Sequence, residues 1–96
     1  AVRRRACVMY RRTVLGRFEL ATCRARAREK RWDVVAEIGI AFDGQKAAER
    51  KLLKLARHRE FDVLMIPELE CLGTIKDMIK ISGVLNDNGI ELYKVR

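Results

Sequence analysis

The sequence predicts an α/β fold: a three-layer, mostly parallel, four-stranded doubly wound sheet in the order β-α-β-α-β-α-β. Three observations predict it. Short apolar runs alternate along the chain with longer segments of helical period. Those runs are apolar throughout instead of at every second residue, the pattern of strands covered on both faces. One helix-length segment separates each pair of runs, and parallel strands need such a crossover. Right-handed crossovers then leave few arrangements open. The chain has 96 residues, which fits one domain.

The elements follow in order. Residues 6–10 (ACVMY), bounded by arginines, read as the first strand. Residues 17–31 read as a helix in which Phe18, Ala21, Ala25 and Arg28 recur at i, i+3 or i+4, with Leu20, Cys23 and Ala27 beside that stripe. Its other face is nearly all arginine: Arg17, Arg24, Arg28 and Arg31. Residues 33–38 (DVVAEI) are rich in β-branched side chains and read as the second strand. Two glycines and Asp43 make residues 39–45 a loop. A second helix over 46–59 turns Ala48, Leu52, Leu55 and Ala56 inward and its lysines and arginines outward. Residues 61–66 (FDVLMI) are the third strand, stopped by Pro67, which cannot donate to a ladder. A third helix over 72–86 is expected to bury Ile75, Met78, Ile79 and Leu85. The NDNG run at 86–89 is a helix stop with glycine at its end, and 90–95 is the fourth strand.

Composition bounds the function. Lys and Arg number 21 against 13 Asp and Glu, a formal charge of +8. The excess is local: residues 1–32 hold eleven basic and two acidic residues, and the remainder is nearly balanced. A local excess of that size favours an anionic partner, nucleic acid before an anionic membrane surface. No apolar run approaches the ~20 residues that span a bilayer, and the short apolar run after the basic start is below the length of a signal-peptide core. The three cysteines, Cys7, Cys23 and Cys71, form no CxxC pair and read as reduced thiols, so a cytoplasmic setting is expected. His58 has no partner at metal-ligand spacing. No metal and no cofactor is expected, since no GxGxxG or GxxxxGK[ST] run follows a strand.

In doubly wound sheets, sites form at the carboxyl ends of the strands beside the switch point. Here residues 11–16, 39–45 and 67–74 line that edge. Arg11 and Arg12 there can hold phosphate bidentately, and Thr13 is the nearest hydroxyl. The alternative is a solvated strand end capped by Thr13. Glu68 and Glu70 are a carboxylate pair at the same edge, either an acid/base pair or two surface glutamates. Cys71 is either a reactive thiol or an inert one, and Trp32 either a stacking platform or an edge anchor.

The order of these pieces resembles the N-terminal catalytic domain of the serine recombinases, the resolvase/invertase family. That family carries Tyr-x-Arg-Val-Ser on its first strand; here stand Tyr10, Arg11, Arg12, Thr13 and Val14. Its first helix ends like Ala-x-x-x-Gly-Trp-x-Val-Val; here run Ala27 to Trp32 and then Asp33, Val34 and Val35. Asp43-Gly44 takes the place of a Ser-Gly pair, and Leu52-Leu53-Lys54-Leu55 that of a leucine-rich helix. Phe61-Asp62-Val63-Leu64 matches Phe-Asp-x-Leu, and Leu69-Glu70-Cys71-Leu72-Gly73-Thr74 stands where the family has Leu-Asp-Arg-Leu-Gly-Arg. Leu85, Gly89, Ile90 and Leu92 close the pattern.

The departures bear on activity. The resemblance implies a serine that attacks a DNA phosphodiester and arginines that stabilise its charge. Val14 occupies the serine position, and Cys71 and Thr74 occupy the two arginine positions. Only Arg12 and the carboxylate of Glu70 match the catalytic set. The resemblance therefore implies a degenerate domain linked to site-specific DNA recombination, without strand exchange of its own. The expected DNA-phosphate contacts are Arg3, Arg4, Arg5, Arg11, Arg12, Arg17, Arg24 and Arg28. The expected partners are DNA, a second copy or a larger recombinase, and no membrane. A basic protein-interaction module is the alternative. A receiver domain of the same fold class would need an acidic cluster where Arg11 and Arg12 stand. Against the family, the long dimerisation helix and the DNA-binding domain are expected to be lacking.

Overall fold

A computed structural model describes residues 2–96. The chain forms β1 (Arg5–Arg11), α1 (Val14–Glu29), β2 (Asp33–Ile40), α2 (Gln45–Arg57), β3 (Val63–Ile66), a 3-10 turn (Leu69–Leu72), α3 (Ile75–Asp87) and β4 (Glu91–Lys94). All strand pairs are parallel and the sheet order is β2-β1-β3-β4. The α/β doubly wound sheet is therefore the observed fold. The chain reverses its winding between β1 and β3, which places the switch point at their carboxyl ends.

Alternation along the central strands builds two cores. Ala6, Val8, Val63 and Met65 face α1 and meet Leu20, Cys23 and Ala27. Cys7, Met9, Leu64 and Ile66 face the other way and meet Leu52, Ala56, Ile81 and Leu85 of α2 and α3. These side chains are almost wholly buried, so each larger one contributes roughly 1.5–3 kcal/mol. At the edge, β2 holds one extra residue. The register shifts between Ala6 and Cys7, which pair with Val34 and Ala36 and leave Val35 bulged and half exposed. The bulge moves Val34 to the α1 core and Ala36 to the α2/α3 core, although both are even-numbered.

Several boundaries and faces differ from the sequence expectation. The first helix spans 14–29 instead of 17–31, because the Thr13 hydroxyl accepts from Gly16 N at 2.9 Å and starts it earlier. It ends earlier because Arg31 takes a left-handed conformation (φ 59°), with Arg31 N bonded to Arg28 O and Trp32 N to Ala27 O. The same stop ends α2 at Arg57, with Arg59 at φ 50°. Gly39 and Ile40 belong to β2, not to a loop. The segment from Leu72 splits into the 3-10 turn and α3, whose start Thr74 and Asp77 cap reciprocally.

Two expected inward stripes point outward. Phe18, Ala21 and Ala25 are exposed, and α1 instead buries Gly16, Leu20, Cys23 and Ala27. Ile75 and Ile79 are exposed, and α3 buries Asp77, Ile81 and Leu85. Both errors have one cause. Each helix carries a second stripe of helical period, and periodicity alone does not say which stripe meets the sheet.

Candidate functional site

The carboxyl edge is organised by the exit from β1. Arg12 N extends the ladder by donating to Ile40 O at 3.0 Å, and α1 then turns back over the sheet. That turn requires Gly16, since a Cβ there would lie 1.8 Å from Arg11 O. The stem of Arg12 lies across Gly39, whose missing Cβ would be 2.7 Å from Arg12 Cγ.

The arrangement leaves an open cleft of about 610 Å³ between α1, β2 and α2. Tyr10, Arg12, Arg17, Arg24, Gly39 and Lys51 line it. Arg24 is held by Glu37 through two bonds of 2.6 Å, which push the Glu37 carboxyl down and the guanidinium up. Arg12, Arg17 and Lys51 have no carboxylate partner among the described residues. A second cleft of about 630 Å³ runs along the β2 edge with Arg3, Arg24, Arg28 and Trp32 in its walls. Arg24 is common to both, so α1 presents Arg17, Arg24 and Arg28 as one row. The sequence reading missed Lys51, because only the packing of α2 beside β2 brings it opposite Arg12.

The other arginines expected at phosphate are engaged differently. Arg11 sits at the switch point, donating to Glu68 Oε1 at 3.0 Å and to Glu70 O at 3.3 Å. Glu68 is thus paired with a cation instead of with Glu70. Arg3, Arg4 and Arg5 lie at the opposite, amino edge of the sheet. Arg3 donates to Arg31 O at 2.9 Å and pairs with Asp33. Arg4 pairs with Glu91 at 3.0 Å and stacks 5.4 Å from the Trp32 ring centroid. Arg5 grips Asp62 and donates to Arg59 O at 2.9 Å, and its side-chain bond to Asp62 holds that carboxyl below its usual range.

The remaining candidates are structural. The Thr13 hydroxyl caps α1, and Val14, at the position of the family's serine, is exposed on the first turn. Cys71 is buried within the 3-10 turn, where burial pushes its thiol up. Cys7 and Cys23 are pushed up to about 12 and about 11 for the same reason. Trp32 anchors the edge against Tyr93, with ring centroids 5.4 Å apart at 90°. Among the described residues, no three His, Cys, Asp or Glu side chains gather to hold a metal ion. Among them also, no helix is long and apolar enough to cross a membrane.

The four-stranded parallel sheet of order β2-β1-β3-β4, with helices on both faces, has likenesses among solved structures. One such solved structure is the C-terminal catalytic domain of ISC1926 TnpA, an IS607-like serine recombinase. It matches with a TM-score of 0.81 at 20% identity, over 95% of this chain and 68% of that chain. At that identity the likeness is one of fold. The neighbour's domain is C-terminal in its protein, whereas the sequence resemblance pointed to the N-terminal resolvase/invertase type. No family model matches the chain, and no curated protein matches it in sequence.

Proposed function

We propose that the chain is a resolvase-like domain that holds DNA phosphates during recombination and performs no strand exchange itself. The observation that carries this reading is the carboxyl-edge cleft. Three unpaired cations, Arg12, Arg17 and Lys51, line it beside the Tyr10 ring, and the hydroxyl on the adjoining turn, that of Thr13, is engaged as the cap of α1. Guanidinium groups hold phosphate oxygens bidentately, and Lys51 adds a point charge from the facing helix. Strand exchange by this family's chemistry needs a hydroxyl that attacks phosphorus. Val14 has none, and the Thr13 oxygen is engaged as a helix cap.

The reading narrows the DNA contacts to Arg12, Arg17, Lys51 and Arg28, with Arg24 beside them. Arg3, Arg4, Arg5 and Arg11 are assigned to holding the fold. Glu70 and Thr13 are given no catalytic role. The buried thiols fit a cytoplasmic setting, and the partner in recombination is a second copy or an active recombinase.

Titration of fluorescein-labelled duplex DNA by anisotropy tests the reading. Binding is expected at about 50 mM salt, weakening with a log–log slope of about −3.6 if Arg12, Arg17, Lys51 and Arg28 neutralise four phosphates. No binding at that salt overturns the DNA reading. A protein–DNA adduct on a denaturing gel, lost in Thr13→Ala, overturns the non-catalytic half.

A further inference from the structure

The outward face of α1 carries an apolar stripe that takes no part in holding phosphate. Val14, Phe18, Ala21 and Ala25 stand at i, i+4, i+7 and i+11, one apolar stripe along the helix. Val14 is 77% exposed and Phe18 69% exposed, and Leu15 lies beside them at 61%. Nothing in residues 2–96 covers the stripe. Along one flank run Arg17, Arg24 and Arg28, of which only Arg24 has a carboxylate partner. The other flank holds Leu15, Thr22, Arg26 and Glu29, the last two paired at 3.4 Å.

We propose that this face docks an amphipathic helix of a partner protein that carries carboxylates along one flank. The spacing is that of a two-helix seam, in which apolar positions interlock and flanking charges select the partner. Phe18 is the anchor in the first half. Ala21 and Ala25 let a second helix come close in the other half. Arg17 and Arg28 then take the partner's carboxylates.

Charge decides against the other occupants. A second copy packed antiparallel sets the arginine flank against itself, and like charges there oppose association. Packed parallel, it offers the arginines a flank whose one glutamate, Glu29, is already paired with Arg26. Duplex DNA gains nothing from Val14, Ala21 and Ala25, which neither donate to phosphate nor stack. A membrane-surface helix needs bulky residues along its apolar face, and the second half of this stripe is alanine.

The inference shares Arg17 and Arg28 with the DNA reading, so the two partners compete for that flank, and its test uses peptides so that its failure and the failure of DNA binding are read separately. The probes are two labelled helical peptides with leucine and alanine along one stripe, one flanked by glutamates and the other by lysines. Anisotropy should show the glutamate peptide binding at least tenfold tighter than its lysine twin. Phe18→Asp should weaken that binding at least tenfold with an unchanged thermal midpoint, since Phe18 is exposed. The double variant Arg17→Glu/Arg28→Glu should reverse the preference between the peptides. Equal binding of both peptides, or binding indifferent to Phe18→Asp, overturns the proposal. So does wild-type dimerisation in sedimentation that Phe18→Asp abolishes, or co-sedimentation with phosphatidylserine vesicles that Phe18→Asp abolishes.

Discussion

The two ends of β1 carry the same residue type in opposite surroundings. At the amino edge, Arg3, Arg4 and Arg5 each close on acceptors from a different part of the chain. Arg3 reaches Asp33 and the turn carbonyl of Arg31, and Arg5 reaches Asp62 and the turn carbonyl of Arg59. Arg4 reaches Glu91 at the start of β4. At the carboxyl edge, Arg12 and Arg17 face Lys51 across a cleft without a carboxylate between them. A basic count cannot tell paired guanidiniums from unpaired ones; the acceptors around each can. Charge left uncompensated after folding is what a polyanion can use.

The difference predicts that substitutions at the two ends separate stability from DNA affinity. The largest effect should come from the junction that aims the carboxyl edge. Gly16→Ala places a Cβ on Arg11 O, a backbone atom that cannot give way. Urea denaturation should show a loss of about 3 kcal/mol, at the upper end of overpacking effects. A loss below about 1 kcal/mol would mean that the β1–α1 exit adapts.

The next effect belongs to the cleft. Arg12→Ala/Lys51→Ala should weaken duplex DNA binding at least tenfold, about 1.4 kcal/mol, and flatten the salt slope by about 2. Its urea midpoint should match wild type. Arg3→Ala/Arg4→Ala should do the reverse, lowering the thermal midpoint while leaving the salt slope in place. If both pairs flatten the slope equally, the two ends do not differ in function.

Acid should loosen the amino edge. The Arg5 side chain and backbone hold the Asp62 carboxyl below its unfolded value near 3.9. A depressed carboxylate stabilises the fold above that value, and the contribution is lost as pH falls through the folded value. Stability should therefore fall below about pH 4, and Asp62→Asn should flatten part of that fall. Urea titrations from pH 3 to 7 check it; an unchanged acid limb in the variant counts against the Arg5–Asp62 pairing.

These two ends also show what the sequence discloses. The strands were legible because parallel strands buried on both faces read as unbroken apolar runs. The end of α3 was legible because Gly89 supplies the left-handed residue at its stop, bonded from Gly89 N to Asn86 O and Ile90 N to Leu85 O. The ends of α1 and α2 use the same hydrogen bonds but place Arg31 and Arg59 in the left-handed position, so nothing marked them. The bulge at Val35 left no trace in the sequence either, because one extra residue in an apolar run keeps the run apolar. Arg12 was legible through a motif on one strand. Lys51 was not, since the cleft exists only once α2 packs beside β2. Burial of the wrong stripe on α1 came from two apolar stripes on one helix, and the outer one is the face with no counterpart in the core.

The smallest effect concerns Thr13, where the two readings of the carboxyl edge part most sharply. As a helix cap, its hydroxyl satisfies Gly16 N, and Thr13→Ala should remove about 1 kcal/mol of stability. Thr13→Ser should restore most of that, because serine caps as well as threonine does. DNA affinity should be the same in all three proteins, since no phosphate contact is assigned to this hydroxyl. A nucleophile would behave otherwise: Thr13→Ser, with a less hindered alcohol, would raise adduct formation while Thr13→Ala abolished it. Stability that follows the hydroxyl, with no adduct in any variant, leaves Thr13 as the residue that starts α1 and not as a nucleophile.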